Sequence, residues 1–180
     1  MNCNTMEPTT TNAKWYAARV KYRTEEKIKA QLEEAAIKHF IPFKTVETIR
    51  KGKKTRKEKP LIPCLMFVCT NRKTALSLPK RTGYTINYIR NNETKSLQII
   101  PDTQMQNFMQ VVDLSQGEGV EILTTNMKRG DKVRVVRGVF AGIEGELVRV
   151  KGHKRVVVRL EGLVSIATTY IPADFLEVIG

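Results

Sequence analysis

The most concentrated chemical potential in this sequence is cationic. Arg50, Lys51, Lys53, Lys54, Arg56 and Lys57 crowd around Gly52, and residues 44–59 hold eight Lys or Arg against two Glu, a net of +6. The whole 180-residue chain carries +13, so nearly half of its excess charge lies in this one stretch. Such placement points to a polyanionic partner, of which nucleic acid is the commonest, although a solvated basic loop has the same composition. No aromatic residue is interleaved among these cations, so contact with phosphate is expected rather than stacking on bases or sequence readout.

Other reactive groups do not assemble into a recognisable site. Cys64 and Cys69 are five apart, Cys3 is remote, and His39 and His153 are the only histidines, which is not the spacing of a zinc site. There is no Gly-x-Ser-x-Gly, no phosphate-binding Gly-rich loop and no H-E-x-x-H. The Glu25-Glu26 and Glu33-Glu34 pairs read as the solvated face of a helix, and neither histidine has a nucleophile or carboxylate close in sequence. No catalytic residue, metal or cofactor is therefore expected. An odd number of cysteines, the absence of a basic and then apolar leader, and no apolar run near the roughly 18 to 20 residues of a membrane span make the cytoplasm the expected compartment, with no membrane partner.

The elements that must position these residues are legible from periodicity. Residues 1–13 read as a loose, disordered tail. Residues 14–22 alternate as a strand, with Tyr16, Ala18, Val20 and Tyr22 on one side. Thr24 is a plausible N-cap for a helix to about Lys38, with Glu25 and Glu26 in its first turn and Ile28, Leu32, Ala35 and Ala36 at helical spacing. Residues 40–49 and the apolar run 60–70 predict a hairpin with a long basic tip. A short helix over 72–78 is expected to stop at Pro79, followed by a strand over 84–89. Pro101 and Asp102 open another helix, in which Met105, Phe108, Met109 and Val112 recur as a core stripe. Residues 14–112 thus predict one domain of mixed strands and helices, and 113–125, with Gly117 and Gly119 and no sustained period, predict a linker. Beyond it, residues 132–136, 146–150, 156–160, 166–171 and 176–179 are five short alternations punctuated by glycines, which describes a small β-barrel over 126–180.

Three segments carry a resemblance. Lys14-Trp15-Tyr16 opens the first strand, Pro60-Leu61-Ile62-Pro63-Cys64-Leu65-Met66-Phe67-Val68 forms the apolar run, and Gly130-Asp131-Lys132-Val133-Arg134-Val135 leads into Gly138-Val139-Phe140-Ala141-Gly142-Ile143-Glu144-Gly145. In order and spacing they resemble NusG-family transcription factors. The N-terminal NGN domain of that family opens W-Y and carries F-P-G-Y-x-F-V, and its C-terminal KOW domain begins G-D-x-V-R-V-x-x-G-P-F-x-G-x-x-G. The resemblance spans about residues 14–179. It implies an α+β chain: an NGN domain, an antiparallel sheet flanked by helices, followed by an SH3-like KOW barrel.

The same resemblance implies a partner. In relatives the NGN domain grips the clamp helices of the largest RNA polymerase subunit through an apolar surface, which carries over to Ile62, Pro63 and Leu65, with Trp15 and Tyr16 beside them. The same residues would also suit the core of a central strand. Gly130, Asp131, Val133, Arg134, Gly138, Phe140, Gly142 and Gly145 are the KOW motif positions, although a Gly-rich turn in any small barrel would explain Gly138 and Gly142, and Phe140 can plug the barrel end. The KOW domain is expected to bind a protein or RNA, and the basic tip to lie against DNA or RNA backbone near the polymerase. Cys64 and Leu65 stand where the family has Gly and Tyr, Val139 where KOW has Pro, and Glu161-Gly162-Leu163 where F-G-R is usual. These departures resemble a specialised antiterminator of the UpxY type, acting on operons such as capsule polysaccharide loci. A housekeeping NusG-like factor is the alternative, and a KOW-containing ribosomal or RNA-binding protein is another.

Overall fold

The computed structural model describes residues 12–50, 53–115, 121–123 and 130–179. β1 (Lys14–Val20) lies between β5 (Leu65–Thr70) and β6 (Ile86–Tyr88) in an antiparallel sheet. β2 (Lys38–Phe40) flanks β5 and β7 (Ile99–Ile100) pairs with β1, giving the order β2-β5-β1-β6. Alternating side chains send Trp15, Ala17, Leu65 and Phe67 to one face and Tyr16, Ala18, Val20, Met66 and Val68 to the other. Both faces are buried, which is why β1 and β5 are apolar almost throughout rather than on alternate residues. The first face packs on α3 (Asp102–Ser115) through Met105, Phe108, Val111 and Val112. The second packs on α1 (Glu25–Glu34) through Ile28 and Leu32, and on α2 (Arg72–Thr82) through Ala75 and Leu78.

Helix ends depart from expectation for local reasons. Thr24 occupies the N-cap of α1, but its hydroxyl donates to the Lys21 carbonyl at 2.6 Å instead of capping the helix. α1 ends at Glu34, short of the expected 38, because Ala36 turns left-handed at φ 52°. The Ile37 and Ala36 amides then donate to the Leu32 and Glu33 carbonyls, a Schellman closure with Ile37 packed into the cluster of Leu32. α2 runs through Pro79 to Thr82, correcting the stop expected at the proline. Pro79 falls in the final turn, and the actual stop is Gly83, whose amide donates to the Pro79 carbonyl at 3.1 Å.

β3 (Phe43–Arg50) and β4 (Lys53–Pro60) form a separate two-stranded ribbon in continuous register from Phe43↔Pro60 to Arg50↔Lys53. Eight residues per strand, at about 3.4 Å each, give an arm of roughly 27 Å.

The C-terminal part is a six-stranded antiparallel sheet. β9 (Asp131–Val135), β10 (Glu144–Val150), β11 (His153–Leu160), β12 (Val164–Tyr170) and β13 (Leu176–Val178) are joined by β8 (Glu121–Leu123), in the order β13-β9-β10-β11-β12-β8. β8 falls within the span expected to be linker, and α3 reaches Ser115. Three residues are too few for alternation to be read in the sequence; pairing of Leu123, Ile122 and Glu121 with Ser165, Ile166 and Ala167 makes the strand. A register shift in β11 between Arg155 and Val157 is met locally, because the Val156 amide donates to the buried Thr168 hydroxyl at 3.2 Å.

α3 also packs against β11 and β12. The Glu144 backbone amide donates to Asn107 Oδ1 at 3.4 Å and the Gln110 side-chain Nε2 to the Ala141 carbonyl at 3.5 Å. One apolar cluster runs from Trp15, Phe67 and Phe108 through to Val133, Ile143 and Val158.

Candidate functional site

The basic arm is built by cross-strand pairing. Residues directly opposite in an antiparallel pair share a face. Lys44 therefore lies with Lys59, Val46 with Lys57 and Thr48 with Thr55, while Thr45 lies with Glu58, Glu47 with Arg56 and Ile49 with Lys54. Thr48 and Thr55 exchange hydroxyl-to-carbonyl bonds of 3.3 and 3.1 Å, which fasten the middle of the arm. Arg56 Nε donates to Glu47 Oε1 at 2.9 Å. Of the expected phosphate contacts, Lys53 and Lys57 project from one face and Lys54 and Arg56 from the other, all exposed. Arg50 pairs through its backbone with Lys53, and Lys51 lies outside the described residues.

The second candidate is the turn between β4 and β5. The Leu61 amide donates to the Pro42 carbonyl at 2.7 Å and the Val20 amide to the Cys64 carbonyl at 3.0 Å. Cys64 takes a left-handed φ of 63°, where the family motif has glycine. Its amide donates to Glu25 Oε1 at 3.0 Å, and Glu25 is only 2% exposed. The expected solvated Glu25 is thus a buried anchor for this turn. An acid in the first turn of a helix already has a reason to be there, so nothing in the sequence singled it out.

The turn presents Pro63 exposed and Ile62 half-buried, whereas Leu65 and Trp15 are buried beside Phe67 on the α3 face of the sheet. The Lys38 ammonium sits 5.5 Å from the Trp15 ring centre. Tyr16 points to the opposite face, edge-on to Tyr88, because neighbours along a strand alternate. The structure therefore brings Trp15, Ile62 and Leu65 into one apolar cluster and leaves Tyr16 out of it.

The KOW positions divide into spacers, core and surface. A Cβ on Gly130 would strike the Leu147 carbonyl, and one on Gly145 would meet the Val157 carbonyl at 2.7 Å, so close strand approach requires glycine at both. Gly138 and Gly142 both take positive φ. Val133 and Phe140 are buried, the latter beside a shallow cleft shared with Phe175 and Tyr170. Asp131 is exposed at the start of β9. Arg134 is held on the surface by Glu144 at 2.6 Å and Glu177 at 3.7 Å.

Among the described residues no three His, Cys, Asp or Glu side chains gather as a metal site. His39 Nδ1 lies 2.9 Å from the Ile37 carbonyl, and His153 is exposed. Burial pushes the Cys69 thiol and the Tyr88 hydroxyl up, so neither is poised as a nucleophile near neutrality. No helix among the described residues is long and apolar enough to cross a membrane.

The chain thus places a mixed sheet-and-helix unit bearing a basic arm before a glycine-punctuated antiparallel sheet with the KOW lead-in. Residues 13–109 match the family described as transcription termination factor nusG, and the chain belongs to the NusG family. It is 23% identical over 150 residues to the transcription termination/antitermination proteins NusG of Streptococcus pyogenes serotypes M3 and M1, with 78% of this chain and 82% of each relative covered. Similar solved structures include that of Thermotoga maritima NusG, described by its domain interaction (19% identity, 95% of this chain, 99% of that chain, TM-score 0.45). The MjSpt4:Spt5 complex in conformation B is also similar (16% identity, 92% and 97% coverage, TM-score 0.24). The chain is thus a member of a family of transcription termination and antitermination factors.

Proposed function

We propose that this protein binds RNA polymerase through its N-terminal domain and suppresses pausing or termination, with the turn at Ile62 and Pro63 against the clamp helices of the largest subunit. The observation that carries the reading is the family match over residues 13–109, which covers the whole sheet and the turn. Physical support comes from an exposed proline and a half-buried isoleucine at the edge of a large apolar cluster, the form of anchor that a helical hairpin can cover. Trp15 and Leu65 support this edge from beneath. The basic arm then faces nucleic acid near the polymerase. The KOW domain offers exposed Val139 and Tyr170 beside Phe140 and Phe175 to a protein partner. Departures at Cys64, Leu65 and Val139 favour a factor dedicated to particular operons, such as capsule polysaccharide loci, over a housekeeping role.

The test is single-round transcription on a template with a terminator, using the wild-type protein and Ile62→Asp. Ile62 is the position of choice because a charge at Leu65, which is 1% exposed, would enter the core. Read-through raised by wild type and lost with a folded Ile62→Asp is the expected result. An effect that survives Ile62→Asp unchanged overturns the contact, and capture of ribosomal subunits in place of polymerase would replace the reading.

A further inference from the structure

The charge on the arm is segregated by face. Lys44, Lys53, Lys57 and Lys59 project from one side with Val46, Thr48 and Thr55 and no acid, whereas the other side carries Lys54 and Arg56 against Glu47 and Glu58, a net of zero. Arg56 is further committed to Glu47 at 2.9 Å. We infer that the lysine face is a rail for the phosphate backbone of duplex DNA, with the Lys54/Arg56 face turned away from it. This deepens the nucleic-acid contact of the proposed function and rests on it.

Geometry supports the duplex. Successive rows on one face of a ribbon are two residues apart, about 6.8 Å, so the rail from the Lys44/Lys59 row to Lys53 spans roughly 20 Å. That is the run of about six phosphates along one strand. Between the lysines stand Val46 and two threonines whose hydroxyls are occupied by the opposite carbonyls, so among the described side chains this face offers no aromatic ring to stack on an unpaired base. The backbone is what the rail can recognise, and a duplex presents one negative charge per roughly 1.7 Å of axis, twice the density of one strand. At the root, Lys44 and Lys59 share a groove with Glu25, Glu26 and Glu58, so the acids gather next to the body; along the rail Lys57 stands one row out from the root and Lys53 three rows out, at the free end. Segregation of this kind is unnecessary for solubility, which would be served by either arrangement.

The experiment measures binding of the full chain to a 20-base-pair mixed-sequence duplex and to one of its strands between about 50 and 200 mM salt. Three proteins are compared: wild type, a rail variant (Lys44→Gln, Lys53→Gln, Lys57→Gln, Lys59→Gln) and an opposite-face variant (Lys54→Gln, Arg56→Gln). Four phosphate contacts correspond to a slope change of about 3.6 in log K against log salt, roughly 150-fold across that range. The rail variant should lose most of it, and the opposite-face variant less than about one unit. Equal losses in both variants overturn the rail while leaving a nucleic-acid contact in place. No change in either overturns the rail and the contact together, and tighter binding of the single strand than of the duplex overturns the assignment to duplex DNA. The read-through assay with Ile62→Asp reports separately on the polymerase contact.

Discussion

Replacing Glu25 with alanine should loosen the turn that carries Ile62 and Pro63. Glu25 is 2% exposed, and its Oε1 accepts the Cys64 amide at 3.0 Å, at the residue whose left-handed φ of 63° closes the turn. Hydrogen bonds to a charged acceptor contribute about 1.5–3 kcal/mol, and a stranded amide costs about as much, so a loss near 2 kcal/mol is expected for Glu25→Ala. At roughly 2–4 °C per kcal/mol for a chain of this size, melting should fall by about 4–8 °C. Glu25→Gln keeps a carbonyl acceptor in the same place and loses only the charge assistance, so about half of that effect is expected. Urea and thermal unfolding of the three proteins measure this directly. Polymerase affinity should follow the same order below the melting transition, because the turn must hold Ile62 in place. A Glu25→Ala protein within about 0.5 kcal/mol of wild type would refute the anchoring role. Equal losses in the two variants would show that charge, not the acceptor at this position, is what matters.

Two further substitutions address backbone geometry. Cys64→Gly should stabilise by about 0.5–1 kcal/mol, since the left-handed conformation costs an ordinary residue about 1–2 kcal/mol and the greater freedom of glycine in the unfolded chain returns part of that; a lower urea midpoint would contradict it. Thr168→Val removes the hydroxyl that receives the Val156 amide at the β11 irregularity and should destabilise the C-terminal sheet by about 1–3 kcal/mol, measured by unfolding of the full chain, with an unchanged midpoint counting against the account.

Much of this architecture could be read before any coordinates. The strand at Trp15 and Tyr16, the core stripe of Met105, Phe108 and Val112, and the glycine-punctuated strands after Gly130 all follow from periodicity, because each is long enough to bury a recognisable face. What escaped reading depends on tertiary partners. Pro79 reads as a stop, yet α2 continues through it to Thr82 and ends only where Gly83 turns left-handed at φ 69°. Glu25 reads as a solvated acid because the amide it serves lies 39 residues away. Glu121 to Leu123 become a strand only through the β12 edge. The basic stretch was plain as charge, but its division into a lysine face and a neutral face needs the cross-strand register. The motif resemblance pointed to Ile62, Leu65, Trp15 and Tyr16 together, and only the pleat separates Tyr16 from the rest.

The most direct test of the central claim is site-specific photocrosslinking from position 62 within a reconstituted polymerase elongation complex, with the adduct mapped by mass spectrometry. The account predicts a crosslink to the clamp helices of the largest subunit, competed by unlabelled wild type. No polymerase adduct at position 62, from a folded protein that still alters read-through, would contradict it.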